Sequence, residues 1–379
     1  MSHQKIHAIE YIRGISMLGV IGIHTGAYSL ANPFVNVHLF AALEIFTRFS
    51  VPIFFFVSAF GLFRNQDLFT KIDYLQFMKR RLRTVFIPYI VWSFIYMIHY
   101  TWISGDSAPW RPSTLLQYLT FGLASYQLYF LVILLWFYSL MPLWRLIVRL
   151  ISPKPLKYLG VMLILQILFN YYSSYLLVPN FTNHYLNIAI QHRLSYWVFH
   201  YIFIFLLGAV CAVHYHKFLA YLEKYRRGIN WSFIISLTGL LSFYYFLLYA
   251  KGYTPEQAVN TAHQLSPIGV IYTLTATLFF FNLFSYKSLS KGTSNLLSAL
   301  GKHSYLVYLV HPLVMYYLIT FIAKTGKLMT AAVTITFYLF TVWFSMLFSI
   351  MIEKISNAVP FVGTLLNGSP GSKKAKQAA

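Results

Sequence analysis

The sequence predicts an all-α, polytopic membrane protein of about ten transmembrane helices, with N- and C-termini in the cytoplasm. Three observations predict it. The 379 residues are 58% hydrophobic and only 10% charged, against about 25% charged in a soluble domain. Hydropathy rises over ten separate stretches, each near the ~20 residues that a helix needs to cross the hydrocarbon core. The 29 Lys and Arg also sort by loop: 22 fall on one side and 5 on the other, with Arg13 and Arg48 inside spans. Cytoplasmic loops carry such an excess. The net charge of +21 therefore reads as a topology signal assisted by anionic lipid, and not as a nucleic-acid surface.

The first span is expected at 8–30, after Lys5. Ala27 and Ser29 are spaced like a cleavage site, but the apolar run is long for a signal peptide and holds an Arg and a His, so it is expected to stay as a helix. The second span, 39–63, descends from the outer face to the basic loop at 64–83, and the third, 84–103, climbs back. Spans at 124–146, 157–178, 195–215, 230–250, 265–286, 303–323 and 329–352 follow, their connections alternating between basic and weakly charged loops. Residues 1–366 thus form one transmembrane domain. Residues 367–379, rich in Gly, Ser, Lys and Ala, read as a disordered cytoplasmic tail. The single cysteine, Cys211, excludes an intrachain disulfide and a cysteine metal cluster.

Within the first span stand two groups that hydrocarbon rejects, Arg13 and His24. Eleven residues are close to three turns, so both project from one face, separated by about 16 Å of rise. An ionisable group inside a span costs roughly 2.5 kcal/mol or more at the centre and marks a functional site by default. The plainer readings are a snorkelling anchor for Arg13 and an interhelical hydrogen bond for His24.

Four motifs, in order, resemble the acyltransferase-3 family of integral membrane proteins. The first is Tyr11-Ile12-Arg13-Gly14-Ile15-Ser16 with Leu18-Gly19-Val20 and Ile23-His24. The second is Val51-Pro52-Ile53-Phe54-Phe55-Phe56-Val57-Ser58-Ala59-Phe60, with Ala59 where the family usually has Gly. The third is Arg80-Arg81-Leu82-Arg83 ahead of Ile87-Pro88-Tyr89. The fourth is Leu300-Gly301-Lys302-His303-Ser304-Tyr305 with Tyr308-Leu309 and His311-Pro312. Residues 105–290 match only in being hydrophobic. The resemblance implies transfer of an acyl group, acetyl most often, from cytoplasmic acyl-CoA to a glycan hydroxyl at the outer face or during export. It implies acyl-CoA as a donor substrate, with no permanently bound cofactor and no metal.

On that reading His24 lies beyond the midplane, as a general base or as a nucleophile that carries the acyl group. Glu44, one of only eight acids, falls at a similar depth. It can orient the imidazole, as the acid of a triad does, or pair with Arg48 at i+4, and a shared cluster of all three is also open. The resemblance implies acyl-CoA binding by Arg13, Arg80 and Arg83. Arg80 and Arg83 are spaced to share a helix face and suit a pyrophosphate, leaving Lys79 and Arg81 as topology charges. His311 precedes Pro312, which frees the Tyr308 carbonyl; His311, Ser58 and Arg48 are expected to line or support a tunnel. Partners are then acyl-CoA, a glycan acceptor, the lipid bilayer of the bacterial cytoplasmic membrane and, in one version, a separate extracytoplasmic transferase. The competing reading is a polysaccharide exporter or flippase that uses the same polar track without chemistry.

Overall fold

Apolar runs near twenty residues leave the backbone no partner but itself in hydrocarbon, and helices result. The computed structural model describes residues 6–64 and 67–369, and every regular element among them is helical. Lys5 and residues 370–379 of the expected tail lie outside the described residues. The chain runs through α1 (His7–Ser29), α2 (Val37–Glu44), α3 (Ser50–Phe63), α4 (Tyr74–Arg81), α5 (Ile87–Ser104), α6 (Pro112–Phe121), α7 (Tyr129–Ser139) and α8 (Met141–Ile151). It continues through α9 (Pro155–Tyr171), α10 (His184–Gln191), α11 (Arg193–Tyr196), α12 (Ile202–Val213), α13 (Tyr215–Lys224) and α14 (Arg226–Tyr249). α15 (Pro255–Thr261), α16 (Pro267–Tyr286), α17 (Lys291–Lys324), α18 (Ala331–Ala358) and α19 (Pro360–Asn367) complete it.

The protein is a multi-pass membrane protein, but the count of ten is not reached. Among the described residues six helices are long and apolar enough to cross, and eight if each bent pair is one span. The shortfall has two physical sources. α1 carries Arg13 and His24, which lower its mean hydropathy. The expected span 39–63 breaks at residues 45–49, so α3 keeps only 14 residues. Two other spans are sharply bent: α7 meets α8 at 68°, and α12 meets α13 at 102°.

α3 is the centre of the packing. Phe55, Phe56 and Phe60 are fully buried and meet Phe130, Tyr201 and Phe281 as tilted or edge-on pairs. On α12, Gly208 rests directly on the Phe56 carbonyl, where a Cβ has no room. The small residue that lets these backbones touch is therefore on α12, while Ala59 on α3 is itself buried. Tyrosines tie segments together by donating to backbone oxygens: the buried Tyr96 to Leu309 and Tyr272 to Phe46, both at 2.6 Å, and the half-buried Tyr338 to Leu18 at 3.2 Å.

α1 and α17 approach even more closely. A Cβ at Gly14 would stand 2.9 Å from the Leu297 oxygen, and one at Gly301 would overlap the Glu10 carbonyl. Both obstacles are backbone, so the helices must part to admit a methyl. Gly301→Ala is expected to destabilise by about 1–3 kcal/mol, the usual cost of overpacking. Gly292→Ala, on the same helix with nothing within 4 Å, is the control that should unfold like the parent in a detergent denaturation series.

Candidate active site

The site is built on α1. Its face toward α17 is set by Gly14, and its face toward residues 43–50 by Gly19, Gly22 and Gly26, which lie against Ser50, Leu43 and Glu44 respectively. α1 is thus clamped between α17 and residues 43–50, and Arg13 and His24 both turn into the protein.

Arg13 lies on a cavity of about 590 Å³. Arg81 from α4 and Lys302 from α17 share its wall; Lys302 is paired with Glu353 at 2.6 Å, and among the described residues no carboxylate lies on the wall itself. Arg81 is held over the rings of Phe77 and Tyr138, 5.2 and 5.3 Å from their centroids. Ser58 lies opposite, 3.3 Å from the Tyr138 hydroxyl. The Tyr305 hydroxyl, on the same wall, is buried without a partner. Arg13, Arg81, the Lys302–Glu353 pair and the unpartnered Tyr305 hydroxyl give this cavity a basic, hydrogen-bonding wall of the kind that suits an anion. Asn367, Gly368 and Ser369, assigned to the tail in the sequence reading, close one side of it. Gly368 takes φ 71 to end α19 and lies against the Thr84 backbone.

The inner end of the cavity is formed by Tyr308 and Phe130, whose rings are 5.6 Å apart. Tyr308 donates its hydroxyl proton to the Gln127 carbonyl. Beyond it stands the second part of the site. The His311 ring is 6.1 Å from Tyr308 and stacks on His24 at 5.3 Å with a 22° interplanar angle, while Tyr126 lies 4.3 Å from His24 on another side. His24 and His311 are therefore one aromatic layer away from the cavity that holds Arg13, not on its wall.

Pro312 explains the state of His311. It lacks an N–H, so the Tyr308 carbonyl has no helical donor. The His311 ring supplies one: Nδ1 donates to Tyr308 O at 2.8 Å and approaches Val307 O at 3.2 Å. α17 consequently runs on through Pro312 instead of opening there. That bond fixes the proton on Nδ1 and leaves Nε2 as a buried lone pair with no partner. His24 is half-buried, and among the described residues none hydrogen-bonds its ring.

Glu44 does not serve His24 as a hydrogen-bond partner. It is buried and pairs with Arg48 at 2.9 Å. Arg48 is further held by Gln264 at 3.4 Å and the Val259 oxygen at 3.5 Å. Glu44 nevertheless packs on Gly26, two residues beyond His24, where a Cβ would come within 2.6 Å of its Cγ. The pair thus bolts the broken second span to α1, to α15 and to the segment that follows α15.

Arg80 and Arg83 are not brought to Arg13. A π-helical turn, Leu82–Phe86, intervenes between α4 and α5, and its wider winding shifts the helical phase. Arg80 is exposed. Arg83 lies along a separate groove with Lys79 and Phe361, 3.5 Å from Thr364. Arg81, the last residue of α4 ahead of that turn, is the one that faces the cavity. Sequence spacing alone treats positions 80–83 as one regular helix and misses this; it also misses Tyr126, which sits in the turn before α7. Tyr308 was visible only as part of the fourth motif.

A protein-family model described as an acyltransferase domain matches residues 6–354. Neither the curated proteins nor the solved structures gave a match.

Proposed function

Since this chain belongs to the acyltransferase-3 family and is a membrane acyltransferase, we propose that it moves an acyl group, acetyl in the simplest case, from cytoplasmic acyl-CoA to a hydroxyl of a cell-surface or exported glycan. The basic loops and both termini face the cytoplasm of the cell membrane in this reading. The basic cavity with Arg13 and Arg81, and with Lys302 paired to Glu353 at its edge, is the observation that carries it. It opens among basic residues, as the donor's phosphates require, and its far end lies one aromatic layer from two imidazoles.

Arg13, Arg81 and Lys302 hold the donor's phosphates, and the acyl-bearing arm reaches past Tyr308 toward His24. The acceptor hydroxyl meets it from the opposite face, beside Tyr126. Its oxygen bonds to the thioester carbonyl carbon while its proton passes to the His24 imidazole. The carbon–sulfur bond then breaks, and the proton is delivered to the departing sulfur. The bare Nε2 of His311 accepts a hydrogen bond from a neighbouring hydroxyl of the same sugar and so orients the acceptor, whose reacting hydroxyl gives its own proton to His24. In this scheme His24 is a general base. The absence of a carboxylate on its ring leaves its orientation to the stacking with His311 and Tyr126.

The test uses proteoliposomes supplied with acyl-labelled acetyl-CoA outside and an oligosaccharide inside, or the reverse, with label followed into the glycan. Arg81→Ala is expected to raise the donor KM about tenfold or more, since a hydrogen bond to a charged group contributes about 1.5–3 kcal/mol. Arg80→Ala should leave that KM unchanged. Label that never reaches a glycan, with oligosaccharide crossing the bilayer regardless of donor, would instead support the exporter reading.

A further inference from the structure

A second cavity lies away from the site just described and shares no residue with it. It is a groove of about 430 Å³ between α9 and the elbow where α12 turns by 102° into α13. Leu159, Leu163, Phe203, Leu207, Leu274 and Leu278 form its apolar length. One end is different in kind: His214, at the elbow itself, and Lys217, on the first turn of α13, stand there. The His214 Nε2 is buried without a hydrogen-bond partner. Lys217 is exposed, no carboxylate lines the groove, and Lys154 and Lys157 lie exposed at the start of α9.

These features specify an occupant. Apolar walls do not hold water, while a lysine and an unsatisfied imidazole at one end call for an anion with hydrogen-bonding oxygens. An amphiphile with a negative head meets both demands, and the bilayer supplies it. Basic pockets between membrane helices bind anionic head groups in this way. α13 leaves the elbow with its buried side at Phe218 and Leu222, and it keeps Lys217 and Lys224 exposed. This is the arrangement of a helix lying in the interface, at head-group level.

We propose that this groove is a binding site for one anionic phospholipid, with an acyl chain along the leucine-lined wall and the phosphate at Lys217 and His214. The lipid fills the gap between α9 and α12 and braces the elbow. The site is independent of the acyl-transfer reading.

Native mass spectrometry of the full chain in detergent tests it, with phosphatidylglycerol or phosphatidylcholine added. The parent should retain phosphatidylglycerol in preference. Lys217→Ala should weaken that retention about fivefold, the effect of one basic residue near a lipid surface, and Lys217→Glu should abolish the preference. Lys224→Ala, on the same helix outside the groove, should retain lipid like the parent. His214→Ala should lose phosphatidylglycerol while keeping the parent's unfolding midpoint within the lipid's own contribution. Equal retention of the two lipids, or an unaffected Lys217→Ala, overturns the proposal. Glycerol phosphate binding as well as the intact lipid would also overturn it, since the site would then recognise free phosphate alone.

Discussion

His24→Ala is expected to lower acyl transfer by about 10²–10⁴-fold, the range that a positioned general base contributes, while the protein stays folded. The second half of this expectation rests on geometry. The imidazole is half-buried, and its contacts are two rings, Tyr126 at 4.3 Å and His311 at 5.3 Å. Truncation removes stacking but orphans no buried donor or acceptor, so the usual source of large destabilisation is missing. Donor KM should hold, because the basic cavity proposed for the phosphates lies on the other side of Tyr308. Initial rates in proteoliposomes, with the unfolding midpoint measured on the same preparation, read both quantities. A variant that retains transfer at the parent's rate removes His24 from the chemistry. Acyl-labelled protein trapped by rapid denaturation of the parent, and absent from the variant, would make His24 an acyl carrier rather than a base. His311→Ala should fall between the parent and His24→Ala, because it strips an orienting acceptor and leaves the Tyr308 carbonyl without its donor.

The second large effect is on stability. Glu44→Ala removes one partner of a buried pair and leaves the Arg48 guanidinium, itself largely buried, without its carboxylate. Breaking such a pair from one side costs about 3–5 kcal/mol. Gln264 and the Val259 oxygen, at 3.4 and 3.5 Å, are too distant to replace it. The break at residues 45–49 should loosen first, because Glu44 is also the group that packs on Gly26. Denaturation in mixed micelles is expected to show the loss. The double variant Glu44→Leu/Arg48→Met should recover much of it, since apolar residues of similar volume replace buried ion pairs at little cost. The rate per folded molecule should remain near the parent's in both. If Glu44→Ala instead keeps the parent's stability and loses transfer as completely as His24→Ala, the carboxylate acts on the imidazole.

Much of this architecture was legible before any coordinates. Low charge, ten apolar runs and four ordered motifs point to a helical membrane acyltransferase, and the Arg13–His24 spacing puts both groups on one face of α1. The readings that changed are those where a regular helix was assumed. Span 39–63 was read as continuous and breaks where Glu44 and Arg48 pair. Arg80 and Arg83 share one face on an α-helical wheel, and the π turn at Leu82–Phe86 carries Arg83 to a separate groove, while Arg81 and not Arg80 lines the cavity of Arg13. Pro312 was read as a break, and the His311 ring mends it.

Composition and periodicity decided the solvent, the secondary structure and which side of α1 is polar, because these follow from transfer energies and a fixed 3.6-residue repeat acting within one segment. Only the folded chain decided which groups meet. The stacking of His24 on His311, the basic cavity and the sheathing of Arg48 by Gln264 join segments from distant parts of the sequence. Such contacts depend on where glycines admit a neighbouring backbone and where a helix slips phase, and no local pattern encodes that.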